Sequence, residues 1–186
     1  MVKKARDKQS KKWISIQAPK EFNNADIGET YVYDLSECKN KVIKVNLMTL
    51  TRDPKKQNSE VTFKLTDCKE NKAHTVIEGY QILTSHLKRV AKKSKLKYEL
   101  SFLSETKDKV KIRIKPVILA KSYSTRSVTS ALIKETENIV KDIAFKTEFN
   151  NLIKAIIDGY LQKDIKNRLQ KIYPINSCVI KAVKKL

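Results

Sequence analysis

"KDKVKIRIKP", Lys107 to Pro116, alternates charge with apolar bulk. Lys107, Lys109, Lys111, Arg113 and Lys115 take the odd positions; Val110, Ile112 and Ile114 take the even ones. Side chains of a β-strand point to opposite faces with period two. The stretch therefore predicts a strand with one apolar face and one face of uniform positive charge. "KLKYELSFL", residues 95–103, has the same parity, and the turn-like "SETKD" separates the two. They are expected to form a hairpin. Directly opposed residues share a face. Packing Leu96, Tyr98, Leu100, Val110, Ile112 and Ile114 inward would then put Lys95, Lys97, Lys109, Lys111, Arg113 and Lys115 outward. Glu99 is the one acid among those odd positions. Like charges about 5 Å apart repel by roughly 0.8 kcal/mol even in water, so nothing inside such a row holds it together.

Working outward, the strand signal extends from Trp13 to about Ala120. "KVIKVNL" (41–47) aligns Ile43, Val45 and Leu47; "EVTFKLT" (60–66) aligns Val61, Phe63 and Leu65; "AHTVIEG" (73–79) is a shorter candidate. A short helix interrupts them, with Thr84 or Ser85 as cap and Leu87, Val90 and Ala91 as its apolar stripe. After about Lys121 the period becomes helical. "SVTSALIKETENIVKDIAF", "EFNNLIKAIIDG" and "YLQKDIKNRLQKIYP" follow one another, with Gly159 and Pro174 as stops. "SCVIKAVKKL" closes the chain as a strand. The expected class is α+β: an antiparallel, barrel-like β region with one short helix, then a helical segment and a final strand. Three segments are expected: a basic arm (1–12), a β-rich region (13–120) and a helical C-terminal region with the last strand (121–186).

The 186 residues carry 40 Lys and Arg against 20 Asp and Glu, a net charge of +20. Self-repulsion on that scale calls for an anionic partner, nucleic acid first and an acidic membrane surface second. Lysine-rich codon usage would tend to raise Glu along with Lys, whereas this excess is one-sided. No apolar run approaches the roughly 20 residues that span a bilayer, and "MVKKARDKQSKK" lacks the apolar core of a secretory signal. Cys38, Cys68 and Cys178 form no C-x-x-C pair, so reduced, metal-free thiols in a reducing, intracellular setting are expected.

No catalytic constellation emerges. His74 and His86 lack ligand spacing, Glu135 and Glu137 suit a solvated helix face, and Cys68 has no activating partner in the sequence. Three glycines build no phosphate-cradling loop. Basic clusters carry the information instead. Lys3, Lys4, Arg6, Lys8, Lys11 and Lys12 make the arm, which composition alone predicts to be disordered without a partner. "HLKRVAKKSKLK" concentrates Lys88, Arg89, Lys92, Lys93, Lys95 and Lys97; Lys181, Lys184 and Lys185 lie near the end. Trp13 is expected to anchor the first strand in the core, with stacking on a base as the alternative. With no RNP-type or helix-turn-helix pattern, recognition of backbone and shape is expected.

"KKWISIQAPKEFNNADIGET", Lys11 to Thr30, resembles the opening of the small-subunit ribosomal protein S-three-A family, also called eS-one. The resemblance rests on Lys11, Lys12, Trp13, Ala18, Pro19, Phe22, Ile27, Gly28 and Thr30. It continues in order through Gly79, Leu83 and Thr84, through Ser122 and Tyr123, and through Asp164, Ile165, Ile172, Tyr173 and Pro174. It implies a noncatalytic component of the cytoplasmic small subunit, on the platform near the mRNA exit. The implied partners are small-subunit rRNA, neighbouring platform proteins and mRNA. The family's basic helix start after the Ser-Tyr motif is nearly neutral here, leaving Lys121 and Arg126 as contacts, and the tail of many relatives has no counterpart after Leu186. The alternatives are a free RNA- or DNA-binding protein of chaperone or chromatin type, and an RNA-processing enzyme.

Overall fold

The computed structural model describes residues 11–33, 38–69, 72–92, 94 and 96–186. The expectations for Lys3, Lys4, Arg6, Lys8, Lys93 and Lys95 fall outside them. Among the described residues, nine strands and five α-helices form an α+β structure. The strands are β1 (Lys12–Gln17), β2 (Asp26–Val32), β3 (Val42–Asn46), β4 (Ser59–Lys69), β5 (Lys72–Ile82), β6 (Leu96–Glu99), β7 (Phe102–Glu105), β8 (Lys111–Ala120) and β9 (Ile175–Lys185). The helices are α1 (Leu47–Thr51), α2 (Thr84–Ala91), α3 (Arg126–Lys146), α4 (Phe149–Ile157) and α5 (Tyr160–Leu169).

β5 organises the sheet. One edge takes β4 along its whole length, and β4 takes β3. The other edge is shared: β1 pairs with residues 72–74, and β9 pairs with residues 79–81. β2 lies outside β1, and β8 outside β9. Two short strands then divide the free edge of β8, β7 along residues 111–114 and β6 along residues 117–120.

Two expectations change here. The sheet is mixed, because β1 runs parallel to β5, and it is open rather than closed as a barrel. The reason is packing. A sheet curls shut to bury its inner face on itself, but here α3, α4 and α5 cover that face. Val61, Phe63, Ile77, Ile112, Ile114, Ile118, Ile180 and Val183 from strands share one core with Leu132, Ile139, Val140, Leu152, Ile153, Ile156, Ile165 and Leu169 from helices. The predicted hairpin also divides. "KLKYELSFL" breaks at Leu100–Ser101, so only β7 turns directly into β8, while β6 pairs farther along.

Local chemistry explains the smaller differences. "KVIKVNL" stops being a strand at Asn46, whose Oδ1 accepts from the Met48 amide at 2.9 Å and starts α1, so Leu47 is helical. α2 begins after Leu83 without a side-chain cap, so neither Thr84 nor Ser85 fills that place. Gly159, at φ +79°, turns the chain between α4 and α5 as expected.

Candidate RNA interface

β8 carries its alternation through its whole length, but its outer face changes character midway. Ile112, Ile114 and Ile118 face the helices. On the opposite side, Lys111, Arg113 and Lys115 are exposed. Val117 and Leu119 follow with the same parity, and there α2 lies on top, packing Leu87, Val90 and Ala91 against them. The helix ends the row of charge along the strand. Its own exposed residues, Lys88, Arg89 and Lys92, renew the positive surface one layer higher.

The longer basic feature runs across the strands. Register places Arg113 opposite Lys184, Lys184 opposite Gly79, Gly79 opposite Thr62 and Thr62 opposite Lys44. The next rank is Lys115, Ala182, Gln81, Glu60 and Asn46. Neighbouring strands lie about 4.8 Å apart, so five strands make a band roughly 19 Å wide. Residues of both ranks line a groove of about 590 Å³, among them Lys44, Arg113, Lys115 and Lys184, together with Glu78 and Leu186. Glu60 is engaged by Gln81, whose Nε2 donates to it at 2.6 Å. Gly79 forms the floor. A Cβ there would come within 2.6 Å of the Val183 carbonyl oxygen, so only glycine lets β5 and β9 approach this closely.

The other expected contacts scatter. Lys109 leaves the row altogether: it sits in the β7–β8 turn at φ +57°. Lys111 lies 4.0 Å from Glu105 across that hairpin. Glu99 is clamped, with Lys97 Nζ donating at 2.6 Å and Lys181 Nζ at 2.9 Å. These two hydrogen bonds hold its carboxyl down at about 2. Lys97 and Lys181 are thus partly committed within the protein. Lys121 and Arg126 are exposed beyond β8 and at the start of α3, and Lys185 is half-buried. Lys44, from "KVIKVNL", is the groove residue that sequence reading missed. Its even position, outside the aligned Ile43 and Val45, was the available signal.

Trp13 also departs from expectation. Ile14 and Ile16 are buried, so Trp13 points outward and is 63% exposed. Its ring centroid lies 4.7 Å from that of Tyr31, directly opposite on β2. Cys38 and Cys68, distant in sequence, meet in a small core with Ile14, Ile16 and Leu65. Burial and a hydrogen bond with Cys38 raise the Cys68 thiol to about 11. Among the described residues, no three His, Cys, Asp or Glu side chains converge to hold a metal ion. No described helix is long and apolar enough to cross a membrane.

Comparison with known proteins assigns the chain to a family. The Ribosomal S3Ae family matches residues 1–186. The chain belongs to that family. Its relatives include small ribosomal subunit protein eS1 of Methanocaldococcus jannaschii, 31% identical over 96% of this chain and 81% of the relative. The eS1 protein of Sulfolobus acidocaldarius is 29% identical over 95% of this chain and 90% of its own length. That of Haloquadratum walsbyi is 26% identical over 95% and 84%. The family is one of ribosomal structural proteins rather than enzymes.

Proposed function

We propose that this protein is a structural constituent of the small ribosomal subunit and that the outer face of its sheet lies against rRNA. The observation that carries the proposal is the pair of ranks around Arg113, Lys115, Lys184 and Lys44. Four cations surround a groove that holds one half-buried acid, Glu78. The row steps about 6.6–6.8 Å along β8 and about 4.8 Å across strands. Flexible lysine and arginine side chains can match phosphates along a nucleic-acid backbone at such spacings. The exposed cations of α2, Lys88, Arg89 and Lys92, extend the contact, as do Lys11 and Lys12 at the start of β1. The resemblance of the family motifs adds a position on the platform near the mRNA exit, with neighbouring platform proteins as further partners.

Two measurements test this. In a lysate sedimented at moderate salt, the chain should ride with small subunits in fixed stoichiometry; a slow-sedimenting, substoichiometric pool would favour a free nucleic-acid binder. For the interface, neutralising about four phosphates contributes roughly −3 to the slope of log K against log salt. The variant R113Q/K115Q/K184Q should flatten that slope by about two units. An unchanged slope would leave the face merely solvated.

A further inference from the structure

We propose that Trp13 and Tyr31 form a stacking platform for an unpaired nucleobase of RNA, with Lys11 placed to meet the adjoining phosphate. The proposal rests on the outer face being the RNA-binding face and adds to it a contact of different chemistry.

The platform follows from strand parity. Ile14 and Ile16 on β1 and Val32 on β2 are buried in the small core beneath. Trp13 and Tyr31, opposite one another in the ladder, therefore stand outward. Tyr31 is 48% exposed and Tyr33 51%. The Trp13 and Tyr31 planes are inclined by 35°, which leaves ring surface open to a third flat group. Aromatic rings in this arrangement stack on bases of any sequence.

Charge selects the occupant. The Lys11 ammonium lies 5.2 Å from the Tyr31 centroid and 4.8 Å from that of Tyr33, within cation–π range. It makes no ion pair among the described residues. Lys72 adjoins Ser15 across the parallel pairing. Among the described residues, Glu29, opposite Ser15, is the acid that the ladder places on this patch. An apolar protein segment laid here would strip water from Lys11 and give it no counter-charge, which is costly. A nucleotide offers a flat face to the rings and an anion to the ammonium.

The platform shares a face with the basic groove. Trp13 and Ser15 point the same way, Ser15 neighbours Lys72, and the register of β4 and β5 carries that face through Val76 to Gly79 beside Lys184. The seven steps from Lys72 to Gly79 cover about 23 Å. A single-stranded segment leaving the groove can reach the platform along the sheet.

Trp13 is the sole tryptophan, so its emission reports on this site alone. The full chain is titrated with a short single-stranded oligoadenylate and with a duplex RNA of equal length. Emission and the anisotropy of labelled RNA are followed together. Stacking predicts strong quenching by the single strand and little by the duplex. Trp13→Ala and Tyr31→Ala should each raise the oligoadenylate Kd roughly tenfold, and Trp13→Phe should restore most of the loss. Binding seen by anisotropy without quenching, or an unchanged Kd in both alanine variants, overturns the platform while leaving the groove standing. Absence of binding by the wild type to either RNA overturns both. R113Q/K115Q/K184Q separates them further: it should weaken binding but leave quenching at saturation intact.

Discussion

Arg113 of β8 and Lys184 of β9 stand directly opposite each other and point to the same exposed face. Two like charges so placed repel by roughly 0.8 kcal/mol in water, before salt. Neither forms an ion pair among the described residues. Arg113→Gln or Lys184→Gln should therefore stabilise the free protein slightly, by a few tenths of a kcal/mol at low salt. The gain should fade as salt is raised. Urea midpoints at two ionic strengths check this, and a loss of stability would mean that an attractive partner holds the pair.

Gly79 sets how closely β5 and β9 approach. Gly79→Ala puts a Cβ against the Val183 carbonyl oxygen at 2.6 Å, and backbone must move to relieve it. The cost should be about 1–3 kcal/mol, read as a lower urea midpoint with an unchanged m-value.

Glu99 should titrate abnormally. Hydrogen bonds from Lys97 and Lys181 lower its carboxyl from 4.5 to about 2. A depressed carboxylate stabilises the fold above its unfolded value and loses that contribution as pH falls through the folded one. Wild type should thus exceed Glu99→Gln by a constant amount above about pH 5, and the gap should close between pH 4.5 and 2. Its side chain is 40% exposed, so the gap should stay below about 1 kcal/mol. Parallel stability curves across that window would contradict the assignment, as would a Glu99 carboxyl titrating by NMR near its ordinary value.

Helical region and β region should unfold together. Ile180 on β9 is fully buried in the core they share. Ile180→Ala should cost about 2–5 kcal/mol and keep a single transition by circular dichroism and fluorescence. Separate transitions for the helices and the sheet would show two independent units.

The thiols should be sluggish. Burial and Cys38 hold Cys68 at about 11, and burial alone pushes Cys178 to about 12. The thiolate is the reactive species, so at pH 8 both should label far more slowly in native protein than in urea. Fast native labelling of Cys68 would refute this, and stoichiometric zinc lost on Cys68→Ser would refute the metal-free assignment.

Much of this was legible in the residues, for stated reasons. Parity placed Ile112 and Ile114 inward and Lys111, Arg113 and Lys115 outward, because one face of that part of β8 meets water. Parity failed at Val117–Ala120, where apolar residues occupy both faces. That run announces a second cover, but only tertiary contact reveals the cover to be α2. The same parity, applied to Ile14 and Ile16, would have put Trp13 outside; a preference for burying tryptophan outweighed it. Three helices were readable from their stripes, whereas the open sheet was not, because closure depends on whether those stripes land on the inner face. The pairing of Lys184 with Arg113 is a long-range register that no local pattern encodes.

β9 is the last of the described strands in sequence order, yet it sits between β5 and β8. During synthesis, the segment carrying Lys44 and Gly79 emerges early and that carrying Arg113 somewhat later. Nothing joins their edges until residues 175–185 arrive to bridge them. A chain stalled before Ile175 therefore has its cations but not their alignment. The basic band across the sheet can therefore assemble only once β9 has been made and inserted between its neighbours.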